Sequence, residues 1–146
     1  MELRIQPASD EALGEVMSWQ YDAPYEFYSG DGLPPLNPER FFVVHDAEDQ
    51  LVGFYYFEQR GDALFYGLGL RPDLTGRGLG LAFVEEGLSF ARRTYGQRRV
   101  ILDVASFNQR AITVYRRAGF KVTGRHVRKM DRWGDVEFVD MERPTD

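Results

Sequence analysis

Residues 70–83 read Leu-Arg-Pro-Asp-Leu-Thr-Gly-Arg-Gly-Leu-Gly-Leu-Ala-Phe. An apolar run enters this stretch, Pro72 ends it as a strand, and Gly76, Gly78 and Gly80 lead into an amphipathic segment. A strand-to-helix turn of this kind leaves backbone N–H groups unpaired and turns the positive end of a helix dipole outward. A phosphate-bearing ligand fits such a turn.

Upstream, residues 63–70 alternate, with Leu64, Tyr66, Leu68 and Leu70 on one face and Ala63, Phe65, Gly67 and Gly69 on the other. Two glycines on one face of a buried strand mark a bulge or a close approach by ligand. Turn residues 60–62 join this strand to 51–59, which pairs with 41–45 as a hairpin around the acidic turn 46–50. Before these, Leu3 and Ile5 form a short strand closed by Pro7. Ser9 or Asp10 then caps a helix whose Leu13, Val16 and Met17 face inward. Between them lies an irregular segment, 19–38, with Trp19, Tyr21, Tyr25, Phe27 and Tyr28 interleaved with Asp22 and Glu26, ending in a Gly/Pro-rich loop.

Downstream, 79–95 is a helix with Leu81, Phe83, Val84, Gly87, Leu88, Phe90 and Ala91 on a broad apolar face; Arg92 and Arg93 suit its negative end and Gly96 its stop. A second central strand follows at 100–105. Asn108 caps a helix with Ala111, Ile112, Tyr115 and Ala118 on one face, and 120–129 with 136–142 form a closing hairpin. The order β-α-β-β-β-α-β-α-β-β, a meander followed by a βαβ crossover, predicts an α/β (α+β) fold with one mixed sheet.

At 146 residues the chain is expected to be one domain over 1–146. Its net charge of −5 argues against nucleic acid as a partner, since no basic excess is present to neutralise phosphates. The absence of cysteine excludes disulfides, thiolate metal sites and a cysteine nucleophile. With His45 and His126 as its only histidines, far apart in sequence, no metal site is expected; each reads as a structural residue. Apolar runs are too short for a membrane span and the N-terminus lacks a signal-peptide centre, which predicts a soluble, cytoplasmic protein with no membrane partner.

Three families own glycine turns of this general kind. A nucleotide P-loop needs Gly-Lys-Ser/Thr, but Gly78 is followed by Leu79. A dinucleotide fold needs G-x-G-x-x-G on its first strand, and Gly76-Arg77-Gly78-Leu79-Gly80 has neither that spacing nor that place in the chain. The third is a resemblance. From near Leu3 to near Glu142 the chain resembles the GNAT superfamily of N-acetyltransferases, whose signature Gln/Arg-x-x-Gly-x-Gly/Ala cradles the pyrophosphate of acetyl-CoA. The matching residues are Thr75, Gly76, Arg77, Gly78, Leu79 and Gly80; Thr75 stands where the signature has Gln or Arg, with Arg77 available to supply charge. A second stretch, Asn108-x-x-Ala111-x-x-x-Tyr115-x-x-x-Gly119-Phe120, resembles the family's other recurrent segment.

The resemblance implies a GNAT-like acyl-CoA N-acyltransferase fold and a single acetyltransferase domain that moves acetyl directly from acetyl-CoA to a primary amine, releasing coenzyme A. The cofactor would lie in a cleft between the 63–70 and 100–105 strands. It implies cofactor contacts at Leu68 and Leu70 through their main chain, at the turn from Thr75 to Gly80, and at Asn108, whose alternative reading is a plain N-cap. It implies Tyr115 as the general acid for the departing thiolate, where the alternative is a core aromatic. A phenol near pKa 10 is reasonably matched to a thiol near about 8.5. The base is open among Glu58, Glu26, Asp103 and a water chain, because no acid or histidine lies between Ala63 and Leu70. The acceptor, a small molecule or peptide, would be met by the aromatic segment 19–38, with Arg125, Arg128 and Lys129 as solvated surface; a homodimer is among the partners the resemblance allows. Alternatives are a catalytically inactive acyl-CoA-binding module of the same fold and a nucleotide-binding domain.

Overall fold

The computed structural model describes residues 2–21, 37–130 and 133–145. Its elements follow the expected order: β1 (Arg4–Pro7), α1 (Asp10–Met17), β2 (Phe41–His45), β3 (Leu51–Arg60), β4 (Ala63–Leu70), α2 (Gly80–Tyr95), β5 (Arg99–Ala105), α3 (Gln109–Arg117), β6 (Lys121–Met130) and β7 (Gly134–Arg143). The strands form one mixed sheet in the order β1-β2-β3-β4-β5-β7-β6. The parallel register of β4 on β5 runs from Ala63↔Arg99 to Phe65↔Ile101, ending before β4 itself does at Leu70. β7 lies between β5 and β6, antiparallel to both.

The chain divides into two compact units, Met1–Phe57 with Gly67–Leu79, and Glu58–Tyr66 with Gly80–Asp146. In the first, β3 is buried from Leu51 through Phe57, the pattern of a strand covered on both faces. Phe41 packs on Phe54 and Tyr56 at 5.6 and 5.1 Å between ring centroids, and Trp19 joins Phe54 at 6.5 Å. The β2–β3 turn is tied by Asp46, whose Oδ1 accepts the Glu48 and Gln50 N–H groups. Ser9, rather than Asp10, caps α1 by accepting the Ala12 N–H at 3.1 Å. Met17 departs from the expected inward stripe and is 46% exposed, because it lies about 100° around the helix from the buried Val16.

In the second unit, α2 buries Phe83, Val84, Gly87, Leu88 and Ala91. Tyr66, fully buried, donates its hydroxyl proton to the Val84 carbonyl at 3.0 Å and so ties β4 to α2. Gly80 opens α2 against Val114 of α3; a Cβ there would stand 3.3 Å from Val114 Cγ2, so a glycine brings the two helices close. Among the described residues, no helix is long and apolar enough to cross a membrane.

Candidate active site

The glycine turn begins where β4 ends. Arg71 fixes its entry: its N–H donates to the Val52 carbonyl at 2.8 Å, its Nη1 to the Leu51 carbonyl at 3.0 Å, and its Nε and Nη2 grip both oxygens of Asp73. This guanidinium holds the exposed Asp73 carboxyl below the usual range. Residues Pro72–Leu74 make one 3-10 turn, which Thr75 closes by donating both its N–H and its hydroxyl proton to the Pro72 carbonyl. The threonine at the signature's first position is therefore turned back into its own turn, with its one hydroxyl proton already engaged.

Gly76 and Gly78 have φ of 73° and 77°, left-handed conformations that side chains adopt only with strain. A Cβ on Gly78 would meet nothing within 4 Å, so its glycine answers backbone conformation and leaves open space beside the chain. Arg77 between them is exposed. α2 then begins at Gly80 after Leu79, a residue with no side-chain acceptor for a cap, and its first turn carries no acid. Its leading N–H groups carry the positive end of the helix dipole.

Leu68 and Leu70 are half-buried. The glycine face of β4 is not bare. A Cβ on Gly69 would fall 2.4 Å from Phe54 Cε1, and one on Gly67 would contact Tyr56 at 3.4 Å, so neighbouring rings of β3 take the space expected for a ligand. The Leu70 carbonyl accepts the Tyr21 hydroxyl at 2.6 Å, and burial pushes that phenol's pKa up, keeping it a donor. Tyr21 thus anchors the end of β4, and the buried Trp19 fills core. Tyr25, Phe27, Tyr28, Asp22 and Glu26 lie outside the described residues.

In the second unit, Asn108 caps α3 by accepting the Ala111 N–H on Oδ1 at 3.1 Å. Its Nδ2 donates to no other described residue. Tyr115 is half-buried on α3, its ring edge-on to Phe120 at 5.9 Å.

Of the carboxylates considered as bases, Glu58 pairs with Arg60 at 2.7 Å. Asp103 sits on β5 in a polar cluster with Asp140 of β7 and His126 and Arg128 of β6. Arg128 Nη2 donates to Asp103 Oδ2, His126 Nδ1 lies 3.0 Å from Asp140 Oδ2, and its Nε2 lies 3.7 Å from Asp103 Oδ2. Burial raises the Asp103 carboxyl's pKa, with the charges of Arg128 and His126 opposing it. Phe138 supports the cluster, stacked on the His126 ring at 5.5 Å and under the Arg128 guanidinium at 4.7 Å.

These contacts bear out one reading and correct two. His126, with carboxylate partners, is a structural histidine as expected. Arg128 is not solvated surface, because it pairs with a carboxylate across the sheet. His45 is not a satisfied structural histidine: its Nδ1 is buried and makes no hydrogen bond among the described residues. Arg125 does lie exposed, paired with Glu137 at 3.1 Å, and Lys129 is exposed. Asp103, His126 and Asp140 bring possible ligand atoms within 4.8 Å of one another, although Arg128 already holds one of the carboxylates. The alternation of His126 with Arg128, and of Phe138 with Asp140, was the available sequence signal for this cluster.

A profile of the family described as "Acetyltransferase (GNAT) family" matches residues 10–120. The chain belongs to that family. Peptidyl-lysine N-acetyltransferase YjaB of Escherichia coli (strain K12) is 33% identical over 124 residues, covering 79% of this chain and 78% of that protein. The mycothiol acetyltransferase of Actinosynnema mirum is 38% identical over 135 residues, which are 90% of this chain and 36% of that one. The GNAT chain spans only about a third of the length of such mycothiol acetyltransferases, 29% in that of Clavibacter michiganensis. Among solved structures, spermidine N-acetyltransferase from Vibrio cholerae in complex with CoA and spermine aligns with a TM-score of 0.73 at 21% identity, over 99% of this chain and 96% of that one. That likeness establishes the mixed-sheet fold.

Proposed function

We propose that the chain is one acetyltransferase domain, residues 1–146, that transfers acetyl from acetyl-CoA directly to a primary amine. The observation that carries the reading is the turn at 76–80: two left-handed glycines, open space at Gly78, and a helix N-terminus without a cap of its own. The pyrophosphate is assigned to the N–H groups of this turn, with Arg77 as the cationic partner in place of the engaged Thr75. Leu79 and Gly80 complete the cradle. The main chain of Leu68 and Leu70 is assigned to the acyl and pantetheine end, where an N–H aimed at the thioester oxygen stabilises the charge that grows there. Asn108 serves α3 with Oδ1 and offers Nδ2 to a pantetheine carbonyl. E. coli YjaB, named as a peptidyl-lysine N-acetyltransferase, supports an amine as acceptor.

Acetyl-CoA supplies an activated acyl group on a thiol leaving group. An amine of pKa about 10 is neutral to only about one part in a thousand at pH 7, so a carboxylate that accepts its proton speeds attack. Both described candidates pair with an arginine, and the carboxyl whose pKa burial raises, Asp103, is the favoured one. Tyr115 is assigned to hand its phenolic proton to the departing sulfur.

The test mixes the protein with acetyl-CoA and a panel of amines, amino acids and peptides and reads free thiol. Acceptor-dependent release is expected. Tyr115→Phe is expected to lower turnover about a hundredfold, within the usual range for a lost general acid, with the acetyl-CoA Kd nearly unchanged. Acetyl-CoA binding without acceptor-dependent release would make the chain an acyl-CoA-binding module. A large affinity loss with unchanged turnover would remove Tyr115 from its role.

A further inference from the structure

On β4, Leu64 and Tyr66 face α2, so Phe65 between them faces the opposite side of the sheet. There a recess of about 300 Å³ is lined by Arg60, Phe65, Ile101, Asp103, Thr123 and Asp140, among others. Its volume is at the lower end of the range of ligand pockets, about 300–1,000 Å³.

The charges along its walls are separated by sign. Arg60 lies over the Phe65 ring at 4.0 Å with Nε on Glu58, and its two Nη groups donate to no described residue. Asp103 meets the Arg128 guanidinium and Asp140 the His126 ring through Oδ2, and the Oδ1 of each accepts nothing among the described residues. Arg60, Asp103 and Asp140 line the same recess, so the two poles share one small space. Phe65 and Ile101, on the same face of the sheet as Asp103, supply apolar surface beside them. A forked cation at one end matches a carboxylate, and two spare carboxylate oxygens at the other match an ammonium.

We infer that this recess binds the acceptor, and that the acceptor is a free apolar α-amino acid, its carboxylate on Arg60 Nη1 and Nη2 and its ammonium on the Oδ1 atoms of Asp103 and Asp140. The inference rests on the acetyltransferase reading for the fate of that amine. The binding claim stands on the recess alone.

The two claims separate in one set of measurements. L-Leucine is compared with its two half-molecules, 3-methylbutylamine and 4-methylpentanoate, by calorimetry with and without coenzyme A, and by thiol release from acetyl-CoA. L-Leucine is expected to bind at least tenfold more tightly than either half, because each half leaves one charged group of the recess without its counterpart. Arg60→Gln, a change at an exposed side chain, is expected to shrink the preference for L-leucine over 3-methylbutylamine by about tenfold. Asp140→Asn should do the same to the preference over 4-methylpentanoate. If the three probes bind equally, or L-leucine and L-methionine both fail to bind, the inference is overturned. Thiol release with polyamines or peptides in that case leaves the acetyltransferase reading intact. Arg60-dependent L-leucine binding with no thiol release from any acceptor would establish the recess and overturn the acetyltransferase reading.

Discussion

At α3 the Asn108 carboxamide accepts the Ala111 N–H at 3.1 Å, whereas at α2 the same position is Leu79, which has nothing to offer. α1 resembles α3, with Ser9 on the Ala12 N–H and Asp10 and Glu11 in its first turn. Each of these two helices thus settles one leading N–H with its own side chain. The third reaches its start through two left-handed glycines, with no acceptor on the residue before it. A cap typically contributes about 1 kcal/mol. Its omission at α2, where the other two described helices are capped, supports the proposed assignment of the pyrophosphate to this turn.

The sharpest way to break that contrast is Gly78→Val. A β-branched side chain at φ of 77° is strained, and it fills the open space beside the turn. Acetyl-CoA affinity is expected to fall thirtyfold or more, about 2 kcal/mol, by calorimetry. An unchanged Kd would return the turn to plain chain reversal.

The turn was legible before the structure because positive φ leaves a residue-level mark: only glycine takes it freely, and Gly76 and Gly78 stand at the required spacing. The element order was legible for a similar reason, since Pro7, Pro72, Gly96 and Gly119 punctuate segments of clear period. The polar face was not. The closing hairpin could be read, but not which of its strands lies beside β5: β7 does, and it sets Asp140 opposite Asp103. Cross-strand register, which no single segment encodes, put Arg128 on a carboxylate. Gly69 shows the same limit: its missing side chain was visible, but not the Phe54 ring from the neighbouring strand that fills the space.

The capped helix makes the intermediate prediction. Asn108→Ala removes the acceptor for the Ala111 N–H and is expected to cost about 1 kcal/mol, or roughly 2–4 °C in melting temperature for a chain of this size. Asn108→Ser should recover most of that loss in the absence of ligand, because a hydroxyl can replace the cap. It should not restore acetyl-CoA affinity, because Ser has no group in place of Nδ2. Full recovery of both would leave Asn108 a cap and nothing more.

The smallest effect is the most discriminating, and it reverses the experiment at α2. Leu79 is half-buried, so Leu79→Ala lowers stability through lost apolar contact alone. Leu79→Ser loses nearly the same contact but gives α2 a cap, so it should be more stable than Leu79→Ala by about 0.5–1 kcal/mol. Saturating acetyl-CoA should narrow that gap, because the hydroxyl and the pyrophosphate compete for the same N–H groups. The expected thermal-melt pattern is therefore Ser above Ala without ligand, near equality with it, and a severalfold weaker acetyl-CoA Kd in Ser than in Ala. A gap that survives saturation would mean that the ligand does not use those N–H groups, and α2 would then differ from α3 only in lacking a cap.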